Sequence, residues 1–413
     1  MSTLVETYAL QCGVKIDKPW INTAFYPLPE PMDKVVLIHA FAGNIQDGRA
    51  TAPGKIYDHF NEVVELLFPI FNKYGYKMYQ IGNGGEPALN GVESLCGKTT
   101  FAQSSYLVKN CALLIGNDSV WQHLRGVENK PMVILFGGTS PKNTGSYFGN
   151  AEKKVFIESH RCGKKPSHLI AEIPKTINFI PPEKVAQESL TLLRLKDKIT
   201  RQSFSFGPEY LASFFEIVPN TAVRPDLNIG VPVIRMDYVF DEGILMQNLG
   251  IRKCAIVTDR EINLNILAHY KDNINSMRVE VDKVSQFWLK AVKKIGIPIM
   301  YVCVEKDPER LRNLRMRLHD DCFFDKIETS TKQQFIEHSE VYLNKKIDKD
   351  FDFSKLLFKT KRFILSDNKV FTSKAHWLAG KTVESTENCT AQVIDNEDFW
   401  PDWRNGYFFL ENS

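Results

Sequence analysis

Along the first half of the chain, apolar residues fall in short unbroken runs, each followed by a polar, glycine-bearing turn. Lys34–Ala40 (KVVLIHA) is β-branched and apolar, the pattern of a strand buried on both faces. From Tyr57 to Tyr74, the positions Phe60, Val63, Val64, Leu67, Phe68, Ile70 and Phe71 recur at helical spacing. Apolar runs at 77–81, 111–115 and 131–136 predict strands, and 120–127 predicts a helix. A further helix is predicted over 181–196, with Pro182 and Glu183 suited to its first turn and Arg194 and Lys196 to its last. Strands separated by helices imply parallel βαβ units.

A polar joint at 197–208 interrupts the pattern, which then resumes. Strands are predicted at 231–236, 253–258, 298–304 and 362–365, and helices at 242–249, 283–295, 307–320 and 332–343. Asp307 followed by Pro308 is a helix-start signal. The C-terminal stretch is irregular and aromatic, with Trp377, Phe399, Trp400, Trp403, Tyr407, Phe408 and Phe409, and is expected to pack back across a domain. A length of 413 residues suits two domains. The expected fold class is α/β, with two doubly wound, Rossmann-like domains over 1–198 and 199–413.

Composition changes this picture little. Charged residues make up 24% and hydrophobic residues 43%, with a net charge of +3, which by itself argues for neither nucleic acid nor membrane. The eight cysteines (Cys12, Cys96, Cys111, Cys162, Cys254, Cys303, Cys322 and Cys389) include no CxxC pair and read as reduced and structural. The N-terminus MSTLVETYALQCG lacks the basic and apolar regions of a signal peptide, and no run is long enough to span a bilayer. The expectation is a soluble, cytoplasmic protein.

The chemistry lies in the turns after the strands. Leu113–Ser119 (LLIGNDS) runs from a buried strand into small polar residues and then a helix. Asp118 or Ser119 can cap that helix, whose first-turn N–H groups and dipole favour an anion such as a pyrophosphate. His39-Ala40-Phe41-Ala42-Gly43-Asn44, Gly82-Asn83-Gly84-Gly85-Glu86 and Gly137-Gly138-Thr139-Ser140-Pro141 follow the other strands. Glycine lets backbone approach a ligand, and Glu86 can accept from a ribose hydroxyl. Each loop alone is equally an ordinary cap or chain reversal. At one sheet edge, four such loops favour a nucleotide-type ligand.

These same segments resemble glycosyltransferase family nine, the ADP-heptose lipopolysaccharide heptosyltransferases, over Lys34 to Leu193. KVVLIHAFAG is similar to the family's opening strand and loop. Lys55 looks like its phosphate-contacting lysine. LCGKTTFAQSSYLVKNCALLIGNDSVWQHL is similar to its stretch from the Gly-Lys-Thr turn to the Asn-Asp-Ser loop. PMVILFGGTSP and FIPPEKVAQESLTLL resemble the next strand-loop and the closing helix. The resemblance implies a GT-B fold with two domains facing a cleft, and here the donor domain comes first in the chain. It implies a nucleotide-diphosphate sugar held by His39, Gly43, Lys55, Gly84, Glu86, Asn117, Asp118, Ser119, Gly138 and Thr139. Two departures stand out. Val120 occupies the family's glycine position after Asn-Asp-Ser and is followed by Trp121. The family's acceptor domain, which carries its catalytic Asp, does not precede this segment.

Transfer from such a donor needs stabilisation of the leaving diphosphate, a base for the acceptor hydroxyl, and alignment of the two substrates. Lys55 and the helix start after Asp118 can supply the first. No DxD motif stands out, and Asp320-Asp321 reads as a solvated pair, so no metal is expected. Asp237, Asp241 and Asp259 follow strands in the second domain, and Asp237 is the favoured base. The resemblance implies an inverting hexosyl-, pentosyl- or heptosyltransferase.

Basic groups cluster after residue 290: Lys293-Lys294, the Arg310, Arg312, Arg315 and Arg317 flanks of a helix carrying Leu311, Leu314 and Leu318, Lys345-Lys346, and Lys359-Lys361-Arg362. They are either solvated helix edges or phosphate contacts. With the aromatic tail as a wedge, and a lysine-, asparagine- and phenylalanine-rich composition in the style of a large bacteriophage, the favoured acceptor is a hydroxymethylated cytosine in phage DNA. The alternatives are a lipopolysaccharide or other saccharide acceptor, and a non-catalytic nucleotide-sugar binder.

Overall fold

The computed structural model describes residues 3–17, 19–43, 45–46, 49–161, 163–172, 175–205, 214–303, 307–317, 323–326, 331–343, 347, 350–386, 390–401 and 406–410. The chain divides into two compact units. Unit 1 comprises Met1–Glu209, Glu337–Asp348 and Phe408–Ser413, and unit 2 comprises Tyr210–Ile336 and Lys349–Tyr407.

Unit 1 contains a six-stranded sheet of β1 (Val35–His39), β2 (Lys77–Gln80), β3 (Glu93–Ser94), β4 (Leu113–Asn117), β5 (Met132–Phe136) and β6 (Lys154–Glu158). Edge to edge the order is β3, β2, β1, β4, β5, β6, and every pairing is parallel. This is the doubly wound order of dinucleotide-binding domains, with winding reversed between β1 and β4. Beyond a short amino-terminal helix α1 (Leu4–Cys12), the principal helices are α2 (Phe60–Lys73), α3 (Phe101–Asn110), α4 (Val120–Val127) and α5 (Pro182–Leu192).

Strand periodicity sorts these helices onto two faces. Val36 and Ile38 of β1 share a core with Val63, Val64 and Leu67 of α2 and with Val185 and Leu190 of α5. Val35 and Leu37 point the other way, into a core with Leu107 and Val108 of α3 and Leu124 of α4. Helix α5 ends before Arg194, which adopts φ 56°, so Arg194 and Lys196 lie beyond the last turn where they were expected. Helix α3 and strand β6 are missing from the sequence-based expectation. The local signal for α3 is a capping box, in which Thr100 Oγ1 accepts from Gln103 N and the Gln103 side chain accepts from Thr100 N.

Unit 2 contains an eight-stranded sheet: β7 (Phe214–Ile217), β8 (Val233–Arg235), β9 (Cys254–Thr258), β10 (Ile274–Glu280), β11 (Ile299–Cys303), β12 (Phe323–Lys326), β13 (Arg362–Ser366) and β14 (Lys369–Phe371). The order is β12, β11, β10, β9, β8, β7, β13, β14, parallel except for the β13–β14 hairpin. Six strands thus wind in one direction. Right-handed crossovers in one direction put their helices on one face. Accordingly α6 (Glu242–Ile251), α7 (Leu264–His269) and α8 (Gln286–Ile295) pack into a single core through Leu245, Leu249, Leu267, Trp288, Leu289 and Val292. Alternate winding, expected for this domain too, is confined to the step that places β13 beside β7. Strand β10 escaped sequence analysis because its residues alternate in burial, unlike the continuous apolar runs elsewhere.

One brace of unit 1 is Arg125 of α4, a fully buried guanidinium. It donates to the carbonyls of Val108 (2.7 Å), Lys109 (3.3 Å), Cys111 (2.8 Å), Ala112 (3.0 Å) and Pro131 (3.1 Å). These are the last carbonyls of α3 and the lead-ins to β4 and β5. Burial lowers the pKa of the guanidinium. Lysine cannot reproduce its planar fork of donors. Arg125→Lys should therefore destabilise the chain by about 3 kcal/mol, leaving buried carbonyls without donors. Urea unfolding followed by circular dichroism measures this, and an unchanged midpoint would show that the brace is dispensable.

Candidate functional site

The parallel sheet of unit 1 puts the loops after β1, β2, β4 and β5 at one edge, as the sequence anticipates. The winding reversal places the crevice between β1 and β4, where His39 and Gly116 are register partners. A Cβ on Gly116 would lie 3.0 Å from His39 O, so glycine permits the close approach of these strand ends.

Asp118 is the hub of this edge. Its Oδ2 accepts from Lys55 Nζ (3.0 Å), Thr139 Oγ1 (2.8 Å) and Thr144 Oγ1 (3.0 Å), and its Oδ1 accepts from Gln122 Nε2 (2.6 Å). The carboxylate is therefore turned away from capping α4. Ser119 occupies the N-cap position without a side-chain hydrogen bond. Helix α4 thus begins with no side-chain cap, and a cation lies beside that start. Among the ten donor-site candidates, Lys55, Asp118 and Thr139 are directly joined. Gln122 and Thr144, which join them, went unnoticed in the sequence because an amide and a hydroxyl carry no motif.

Lys55 sits at the end of a 3-10 turn (Pro53–Lys55) with its side chain 35% exposed. The segment after it is tied down. Tyr57 Oη donates to Ile180 O (2.6 Å), Asn178 Nδ2 donates to Asp58 Oδ2 (2.9 Å), and Lys175 pairs with Asp58 at 2.5 Å. Asn117 Nδ2 donates to Ala40 O (2.7 Å), linking the ends of β1 and β4. Asn117 Oδ1 and His39 Nδ1 are buried with no hydrogen-bond partner. Burial drives the His39 pKa down to about 4. His123, one turn into α4, is also held below its usual pKa by burial, with Asp118 pulling it up and Lys55 down.

The remaining loop residues have structural roles as well. The Glu86 carboxylate folds over Gly82 and accepts from Asn83 N (2.8 Å), and burial raises its pKa. A Cβ on Gly138 would come within 3.0 Å of Glu172 Oε1 and Ser167 Oγ, so that glycine accommodates a neighbouring segment. Gly84 is exposed and packs against Gly97, and Gly43 adopts φ 76°. Val120 is 48% exposed, while Trp121 is turned inward, edge-on to His39 and stacked on Phe101 at 5.1 Å. The bulky residue therefore leaves the first turn of α4 open.

Each candidate base in unit 2 is already engaged. Both oxygens of Asp237 accept from Arg235 (2.8 and 2.7 Å), Asp241 caps α6 through Ile244 N (2.9 Å), and Asp259 pairs with Lys283 (3.3 Å). Arg235 and Arg362 both contact buried Glu216. The basic clusters are also dispersed. Lys359 is buried and Arg362 is paired, while Lys293 and Lys294 occupy the last turn of α8, where cations suit the helix dipole. Arg310 and Arg312 are exposed on the described helix Pro308–Arg317. Lys345-Lys346, Leu318 and Asp320-Asp321 lie outside the described residues, as do the side chains of Leu311, Leu314, Arg315 and Arg317. Phe399 and Trp400 of the aromatic tail are buried against Phe358, Phe353 and Phe335, and Trp377 stacks on Tyr238, so these rings form core rather than a wedge. Trp403 lies outside the described residues.

Among the described residues, no group of three or more His, Cys, Asp or Glu could hold a metal ion, and no helix is long and apolar enough to cross a membrane. Cys12, Cys96, Cys111 and Cys254 carry free thiols.

Residues 86–169 match the family described as glycosyltransferase family 9 (heptosyltransferase). The matched residues lie within unit 1. A 51-residue stretch is 37% identical to lipooligosaccharide heptosyltransferase 2 of Haemophilus influenzae, covering 12% of this chain and 15% of that protein. Among solved structures, the E. coli ADP-heptose lps heptosyltransferase II is 19% identical with a TM-score of 0.30, over 47% of this chain and 52% of that one. A glycosyl transferase family 9 protein from Veillonella parvula is 19% identical with a TM-score of 0.30, over 46% of this chain and 50% of that one. The chain thus spans about half the length of these solved structures. The matched stretch contains Glu86, Asn117, Asp118, Ser119, Gly138 and Thr139, while His39, Gly43, Lys55 and Gly84 precede it.

The His39 environment carries a pH signature. Its folded pKa of about 4 lies below the ordinary 6.5, so the unfolded chain binds a proton first as pH falls. Stability should be intact above pH 6.5 and decline between 6.5 and 4, by on the order of 3 kcal/mol from this residue. Urea midpoints across that window should fall less steeply in His39→Gln than in the wild type. Parallel curves would show that His39 is accessible to protons in the fold.

Proposed function

We propose that unit 1 holds a nucleoside-diphosphate sugar with its diphosphate against Lys55 and the first turn of α4, and that the protein transfers the sugar to an acceptor hydroxyl. The observation that carries this is the Lys55 ammonium beside a helix start with no side-chain cap, at the winding reversal of the sheet, two residues from Asp118 in the family 9 segment. Helix amides and a lysine supply positive charge where the leaving diphosphate gains negative charge. On binding, the phosphate competes with Asp118 for Lys55, and Thr139, Thr144 and Gln122 retain the carboxylate.

In this reading the donor is held without a resident metal. The acceptor is a saccharide hydroxyl. The family 9 match and the lipooligosaccharide heptosyltransferase relative support that class, while the buried or paired cations of unit 2 weaken the case for DNA. The engaged carboxylates of unit 2 favour a second reading, nucleotide-sugar binding without turnover.

Calorimetry with ADP, UDP and GDP, followed by transfer assays from ADP-heptose and common nucleotide hexoses to lipooligosaccharide and to hydroxymethylated DNA, separates these readings. Lys55→Ala should lower turnover about 100-fold, the usual effect of losing one transition-state donor. Heat of binding without transfer to any acceptor supports the binder. No heat with any nucleoside diphosphate removes the donor seat. A heptosyltransferase described as iron-containing is among the structural neighbours, so chelator treatment belongs in the assay, and metal-free transfer predicts unchanged turnover.

A further inference from the structure

Unit 2 has a winding reversal of its own. β7 and β13 are parallel neighbours, but the chain leaves β7 towards β8 on one side and leaves β13 for the β14 hairpin on the other. The crevice beyond the carboxyl ends of strands at such a reversal is where open α/β sheets bind ligands. A cavity of about 390 Å³ opens there, between the loop after β7 and the β13–β14 turn. That volume falls within the range of small-molecule sites.

The lining is specific in chemistry. Asp367, at the turn, is exposed, and its Oδ1 accepts from Thr221 Oγ1 (2.9 Å) while its Oδ2 accepts from Asn220 Nδ2 (3.1 Å). Both donors are neutral, so the carboxylate is fixed in direction while its charge is left uncompensated. Its remaining lone pairs are available to O–H donors. Asn220 also donates to Ser366 Oγ (2.7 Å), and its Oδ1 is buried without a partner at the same strand end. The cation on the lining, Arg224, pairs with Asp226 at 3.5 Å, so the cavity does not call for an anion. Val223, Leu227, Leu365 and Val370 form an apolar wall suited to the C–H face of a ring.

We propose that this crevice binds a ring bearing vicinal hydroxyls, a free saccharide or the ribose of a nucleoside, with Asp367 accepting from the hydroxyl pair. The site is built wholly within unit 2 and does not depend on the donor seat of unit 1.

Saturation-transfer NMR on the full chain, with methyl glucoside, methyl mannoside and adenosine at millimolar concentration, tests it and distinguishes the two sources. Asp367 and Asn368 adopt φ 49° and 57° in the turn, a conformation asparagine tolerates, so Asp367→Asn preserves the backbone. Binding of a glycoside or of adenosine, weakened about ten-fold or more in Asp367→Asn and blocked in Leu227→Trp, which fills the cavity, is the expected result. Lys55→Ala should leave that binding unchanged. Absence of binding by all three probes overturns the proposal. So does binding that Asp367→Asn and Leu227→Trp both leave unchanged, which would place the ring outside this crevice.

Discussion

A single buried guanidinium organises the ligand edge of unit 1. Arg125 projects from α4 and ties together the end of α3, the approach to β4 and the approach to β5 through five carbonyls. Those carbonyls belong to the end of a helix and to strand entries, where backbone partners run short. Because α4 also begins at the crevice, the brace sets where its first-turn amides lie relative to β1. The preorganised positive end of α4 is therefore a consequence of packing at the opposite end of the same short helix.

Asp118 is the complement to that brace. It sits at the carboxyl end of β4, where an acidic side chain would ordinarily repel a phosphate. Four donors from Lys55, Thr139, Thr144 and Gln122 satisfy it, so its charge is spent on holding three loops together. The same arrangement keeps Lys55 at the crevice mouth, with its side chain 35% exposed. A bound anion then replaces Asp118 as partner of a half-exposed lysine, while the buried carboxylate keeps its three neutral donors.

The two sheets treat ligand chemistry differently. Unit 1 presents a cation and helix amides at its reversal, whereas unit 2 presents a carboxylate held by a threonine and an asparagine. Unit 2 uses its strongest electrostatics inside the sheet. Glu216, in β7, is buried with Arg235 and Arg362 from the two flanking strands, and those arginines overcome the burial that would otherwise favour its neutral form and hold its pKa low. Such a cluster locks neighbouring strands in register and leaves little charge for partners outside.

The chain's own pattern determined the parts that depend on local periodicity. The continuous apolar runs of β1, β4 and β5, the helical stripe of α2 and the Asn-Asp-Ser turn after β4 are legible because a parallel strand buried on both faces must be apolar at every position. The family resemblance, carried by Glu86 to Thr139 in particular, was legible for the same reason. What the folded structure alone decided is where side chains distant in sequence meet. Lys55 and Asp118 are 63 positions apart, and Thr221 and Asp367 are 146 apart. No spacing rule reaches across such intervals, because strand order is set by which faces bury together. For that reason Asp237, prominent as a carboxylate after a strand, is clasped by Arg235, while Asp367, inconspicuous in a hairpin turn, lies at a crevice.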